Sequence, residues 1–176
     1  MRLGLVFTQI APAVDESALP NEFPTQTALR LAEAKARAVA NQAGPNVLVI
    51  GSDQVAELDG QPIGKPLTHR NAVHQLRLLS GKTANFHTAL VLLNAGNGRM
   101  QAEVVSTAVR FRPLSAARIE RYLQREQPYD CAGSAKVEGL GIALLESVET
   151  TDSTALIGLP LIALVSMLQS EGMEVP

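Results

Sequence analysis

The chain has 176 residues, 46% of them hydrophobic, and a formal net charge of −2, which suits one domain, residues 1–176, with a sizeable core. Its 15 Lys and Arg are scattered along the chain, and aromatics make up 3% with no Trp. Neither a phosphate-backbone surface nor a base-stacking platform is therefore expected, and no nucleic-acid partner is predicted. The single cysteine, Cys131, excludes an internal disulfide and fits a reducing, cytoplasmic compartment. The opening residues 1–7 are too short for a secretory h-region, and the apolar run 155–165 is broken by Gly158 and Pro160, so no membrane partner is expected.

In chain order, residues 1–24 read as loop, with Pro12, Pro20, Pro24 and the acidic pair Asp15 and Glu16. A helix is predicted from Thr25 or Thr27 as N-cap to Ala43, ended by Gly44 and Pro45. Its apolar face holds Ala28, Leu31, Ala32 and Val39, and Lys35 falls within that face. Such a lysine either snorkels to the rim or points at an anion. Residues 47–50 (Val-Leu-Val-Ile) read as a strand buried on both faces, ending at Gly51-Ser52-Asp53-Gln54. That end is either a turn cap or a ligand site of the kind found at strand termini in open α/β sheets.

Residues 55–58 read as a short strand before the turn signal Asp59-Gly60, and Gly64-Lys65-Pro66 comes next. Thr68 caps a second predicted helix through Leu79, stopped by Gly81. Strands at 85–93 and 101–112, joined by the Gly- and Asn-rich turn 94–98, form the clearest hairpin. Ser115 caps a third helix to about Glu126. A polar, Gly-rich segment, 129–141, leads to a strand at 142–147, and a last helix runs from Pro160 to about Ser170. A hairpin together with strands separated by helices predicts an α/β domain with a mixed, partly antiparallel sheet and flanking helices.

Carboxylates at Asp15, Glu16, Asp53 and in 130–138, with Lys35 and Lys65 nearby, suit a phosphate-bearing substrate neutralised by a hard divalent cation. Solvated surface charge is the alternative. Neither GxxxxGK[ST] nor GxGxxG occurs, which disfavours a Walker-type or dinucleotide site. His69 and His74 read as solvated, and His87 as a packed or edge histidine. Cys131 has no partner base in sequence, so it is not expected to act as a nucleophile.

The ordered segments 49–55 (ValIleGlySerAspGlnVal), 58–60 (LeuAspGly), 64–66 (GlyLysPro), 79–81 (LeuSerGly), 110–115 (ArgPheArgProLeuSer), 129–142 (TyrAspCysAlaGlySerAlaLysValGluGlyLeuGlyIle) and 156–161 (LeuIleGlyLeuProLeu) resemble the Maf family of nucleoside triphosphate pyrophosphatases. The resemblance covers the chain from Leu3 onward. It implies an elongated, inosine-triphosphatase-like α/β fold with a cleft between two lobes, often dimeric. It also implies hydrolysis of a nucleoside triphosphate to monophosphate and pyrophosphate. Asp53 matches the family's proton acceptor, and Glu16 and Asp53 match positions associated with a divalent metal (Mg or Mn). Lys35, Lys65 and Lys136 match substrate-contacting basic positions, and Gln54 and Glu138 match positions tied to base specificity.

Gln54, and the run Ser134-Ala135-Lys136-Val137-Glu138-Gly139, resemble the branch acting on 7-methyl-GTP, where the dTTP/UTP branch has Thr and an Ala-Tyr-Gly-Ile-Gln-Gly run. Methylation at N7 makes guanine cationic, which a carboxylate at 138 favours. The dTTP/UTP branch, or a non-catalytic nucleotide-binding regulator of cell division, are the competing readings. Family members open with a strand and a Ser-Thr-Ser-Pro-x-Arg-like loop facing the phosphates. This chain has no such segment, and Arg2-Leu3-Gly4-Leu5 resembles the stretch that succeeds the loop in those members. The expectation is a start placed too late or a shortened chain.

Overall fold

The computed structural model describes residues 2–17 and 19–175. After an extended start, α1 (Pro24–Ala40) leads to β1 (Leu48–Leu58) and β2 (Gln61–Ile63), followed by α2 (His69–Leu79). The hairpin β3 (Thr83–Asn94) and β4 (Met100–Phe111) comes next, then α3 (Ala116–Glu126), β5 (Leu145–Glu149) and α4 (Leu161–Ser170). Short 3₁₀ turns occupy 132–134, 140–144 and 155–157. No helix among the described residues is long and apolar enough to cross a membrane.

The five strands form one sheet in the order β2-β1-β3-β4-β5, with every pairing among the described residues antiparallel. The sheet is thus antiparallel throughout these pairings and not mixed as expected. β1 and β2, and β3 and β4, pair through hairpins, and β5 returns antiparallel to β4 after α3. The chain crosses over β1 through α2, so β2 and β3 run in the same direction but are separated by β1 and share no ladder. The α/β class and the flanking helices stand as expected.

The two predicted strands at 47–50 and 55–58 are one continuous β1. Gly51 does not end the strand; it makes room for α1. A Cβ at Gly51 would lie 2.3 Å from the Ala32 carbonyl oxygen and 2.9 Å from the Ala36 Cβ. Nor is β1 buried on both faces, since Ile50 is 41% exposed. Asp59 (φ 52°) and Gly60 (φ 79°) both adopt left-handed backbone between β1 and β2, as a two-residue hairpin turn requires.

Helix α1 begins earlier than predicted. Phe23 stands at the N-cap and Pro24 takes the first turn, where its missing N–H costs nothing. The Gln26 Oε1 accepts from the Phe23 N–H at 3.1 Å. The caps predicted for the next two helices hold: Thr68 Oγ1 accepts from Asn71 N–H at 3.2 Å, and Ser115 Oγ from Arg118 N–H at 3.3 Å. Of the strand predicted at 142–147, residues 142–144 belong instead to a 3₁₀ turn (Leu140–Leu144) and the strand begins at Leu145. The turn is tight at Gly141, where a Cβ would lie 2.4 Å from the Lys136 carbonyl oxygen.

Alternation along β3 buries both its faces. Ala89, Val91 and Leu93 pack with Val49 against Ala28, Ala32 and Ala36 of α1. On the opposite face Leu90 and Leu92 meet Leu164 and Leu168 of α4, while Phe86 joins Leu76, Leu79, Val109, Phe111 and Leu123 under α2 and α3. The N-terminus of α4 is closed by Asp152, whose Oδ2 accepts from Ile162 N–H at 2.7 Å.

Candidate active site

From Leu48 to Val55, β1 pairs among the described residues with β3 alone; β2 reaches no further than Ala56. A cleft of about 310 Å³ opens beside this stretch. Ser52, Asp53 and Gln54 line it from β1, Lys65 from the loop after β2, residues 130–138 from the Gly-rich segment, and 156–158 from the turn before α4. The site therefore lies at mid-strand, beside a free stretch of edge, and not beyond a strand terminus as the sequence suggested. The strand is longer than its apolar run because polar Ser52, Asp53 and Gln54 still pair with Leu90, Ala89 and Thr88 of β3.

Asp53 points to the α1 face. Its Oδ1 accepts from Lys35 Nζ at 2.5 Å, and the same ammonium lies 2.8 Å from Glu16 Oε1. Lys35 thus holds two carboxylates from segments far apart in sequence, which settles its alternatives: it points at anions. Burial pushes the Asp53 carboxyl above its ordinary value, against the opposing pull of Lys35 and Lys65. Burial alone would lower the Lys35 ammonium, but its bonds to Asp53 and Glu16 outweigh that and raise it. The Lys35 bond lowers Glu16.

Gln54 points the other way. Its Nε2 donates to Thr88 Oγ1 at 2.7 Å and towards the Ala155 and Leu156 carbonyls at 3.1 and 3.2 Å. The nitrogen is committed to holding the 155–157 turn in place, leaving the carbonyl Oε1 for a ligand. Ser52, which sequence reasoning did not single out, donates towards the Ala89 and Gly158 carbonyls at 2.7 and 2.8 Å. Its signal was the two-residue spacing to Gln54, hidden once the strand was read as ending at Ile50.

Lys65 is exposed at the cleft. Its loop is fixed by Gln75 Nε2 donating to the Gly64 carbonyl at 2.9 Å and Asn71 Nδ2 to the Pro66 carbonyl at 2.9 Å. The Leu67 N–H donates to the Tyr129 carbonyl at 2.9 Å, tying this loop to the opposite wall. His69 is not merely solvated. It bridges Tyr129 Oη at 3.0 Å and Glu120 Oε2 at 3.1 Å. Lys136 is exposed, with Nζ 3.8 Å from Glu126 Oε1, and Glu138 is exposed at the cleft. Burial and the neighbouring Asp130 push the Cys131 thiol up to about 11, a poor nucleophile as expected. The structure thus gathers Glu16, Lys35, Asp53 and the cleft residues Gln54, Lys65, Lys136 and Glu138 in one region, with Gln54 facing away from the Asp53–Lys35 pair.

The Asp53–Lys35 pair lies beside a cleft rimmed by Lys65 and Lys136, an arrangement chemically suited to an anionic ligand. The chain belongs to the Maf family: the profile described as Maf-like protein matches residues 1–171. It is 57% identical over 174 residues to the 7-methyl-GTP pyrophosphatase of Methylobacillus flagellatus, covering 99% of this chain and 90% of that protein. The protein of the same name from Nitrosospira multiformis is 54% identical over 99% of this chain and 87% of its own length. That from Paraburkholderia xenovorans is 56% identical over 97% and 84%.

Proposed function

We propose that this chain hydrolyses nucleoside triphosphates between the α- and β-phosphates, with 7-methyl-GTP as preferred substrate. The observation that carries the reading is the Asp53 carboxylate, partly buried, pushed up in pKa and oriented by Lys35. A positioned carboxylate raised towards the working pH is suited to take a proton from water. Water attacks the α-phosphorus, its proton passes to Asp53, and the bond to the bridging oxygen breaks, so that pyrophosphate leaves with the electron pair. Lys35 and Lys65 neutralise charge on the triphosphate. Glu138, exposed in the cleft, favours a cationic base over a neutral one.

The donor set fits a divalent cation. Glu16 and Asp53 already converge on one positive charge, the Lys35 ammonium, and Mg²⁺ commonly takes one or two carboxylates plus substrate phosphate oxygens. Glu16 and Asp53 would hold the metal, which supplies charge neutralisation on the phosphates when bound. The single thiol supports a cytoplasmic setting.

Pyrophosphate release from 7-methyl-GTP, GTP, UTP and dTTP with Mg²⁺ or Mn²⁺ tests this reading. The expected result is the highest kcat/KM for 7-methyl-GTP. A preference for UTP or dTTP would transfer the chain to the other branch. Tight nucleotide binding without pyrophosphate would make it a binder.

A further inference from the structure

His87 lies outside the cleft, on the sheet face that carries α1, and is 7% exposed. Its two ring nitrogens are both engaged, to side chains from the two neighbouring strands. Nε2 is 2.9 Å from Glu57 Oε2 on β1, and Nδ1 is 2.8 Å from Ser106 Oγ on β4. A carboxylate can only accept, so Nε2 carries the ring proton. In the neutral imidazole Nδ1 is then an acceptor, and the Ser106 hydroxyl donates to it. The serine is open to solvent, the imidazole is covered, and the Glu57 side chain is 20% exposed.

We propose that Ser106 is a nucleophilic centre, independent of the nucleotide cleft, that accepts the acyl group of a carboxylic ester. A hydroxyl is a weak nucleophile until an adjacent base can take its proton and a third group holds that base in the right tautomer. His87 and Glu57 stand in those two relations to Ser106, drawn from three adjacent strands of a rigid sheet. The register adds a donor. Asn85 pairs with Ala108, two residues along β4 from Ser106, and so stands diagonal to Ser106 on the same face. Diagonal neighbours in a sheet lie about 7–8 Å apart, within reach of a side chain or a small ester bridging them. An amide there suits the oxyanion of a tetrahedral intermediate.

The step balances within these groups. Ser106 Oγ attacks the ester carbonyl carbon as its proton moves to His87 Nδ1. The alcohol departs with the ester oxygen and takes that proton, leaving acyl-Ser106 and neutral His87. Glu57 is a positioning residue that keeps the proton on Nε2.

The test is incubation of the full chain with p-nitrophenyl acetate, followed by peptide mass mapping and stopped-flow release of p-nitrophenol. The expected result is one acetyl group on Ser106, absent in Ser106→Ala. The initial rate should fall roughly 10²-fold or more in His87→Gln, the usual contribution of a positioned base, and less in Glu57→Gln. Pyrophosphate release should be unchanged in all three variants. Thermal melting confirms that each is folded; if His87→Gln is not, Glu57→Gln carries the test. No acetyl on Ser106 in the folded wild type, or an equal rate in the folded Glu57→Gln variant, would overturn the assignment. Loss of pyrophosphate release in folded Ser106→Ala would overturn the independence of the two centres.

Discussion

Lys35 Nζ stands 2.5 Å from Asp53 Oδ1, joining the middle of α1 to the middle of β1 across the close approach that Gly51 permits. The pair sets both the charge and the orientation of the carboxylate. Asp53→Asn preserves the shape of the side chain and removes its basicity. Pyrophosphate release should fall roughly 10²–10⁴-fold. Because burial already disfavours the charged form of Asp53, the melting temperature should change little. Near-normal turnover in the folded variant would exclude Asp53 as the base.

The pH dependence arises from two opposite shifts. Asp53 is raised above its ordinary 3.8, so activity that needs its ionised form should appear only above that value. Its folded form binds the proton more tightly than the unfolded chain does. Its contribution to stability is therefore present at low pH and lost as pH rises from 3.8 through the raised folded value. Glu16 is lowered from 4.5, so its contribution is present above 4.5 and lost as pH falls through the folded value. Lys35→Gln removes the charge that pulls Asp53 down, and the acid limb of kcat/KM should move to higher pH. An unmoved limb in a folded Lys35→Gln variant would separate Asp53 from the titration.

Glu138 is exposed in the cleft, and its role is expected to be electrostatic. Glu138→Gln should weaken kcat/KM for 7-methyl-GTP more than for GTP, since the ratio of the two measures discrimination. Equal loss for both nucleotides would make Glu138 a structural residue of the 130–138 wall.

Gly51→Ala places a methyl 2.3 Å from the backbone carbonyl of Ala32. That carbonyl belongs to the α1 backbone, so the helix itself must shift. Overpacking of this kind costs about 1–3 kcal/mol, occasionally more, and a chain of this size loses about 2–4 °C in Tm per kcal/mol. Calorimetry should show a lower Tm. Activity should fall with it, because α1 carries Lys35. An unchanged Tm would mean that α1 does not press on β1 in solution.

The elements that local chemistry governs were readable in the chain itself. Thr68 and Ser115 cap α2 and α3 because a side-chain oxygen can satisfy a nearby orphan N–H whatever the rest of the fold does. Asp59 and Gly60 turn β1 into β2 for the same local reason, and Lys35 marked itself by sitting on an apolar stripe. The grouping of Glu16, Lys35, Asp53, Lys65 and Glu138 came from the ordered motifs and their resemblance to the Maf family. What only the tertiary structure decided is where segments distant in sequence come close. Gly51 reads as a strand breaker until α1 is laid against it, and then it is the reason β1 continues. That continuation sends Asp53 to one face and Gln54 to the other, because side chains alternate along a strand. The Glu57–His87–Ser106 relay was equally invisible, since its three members are 30 and 19 residues apart and meet only through the register of three antiparallel strands.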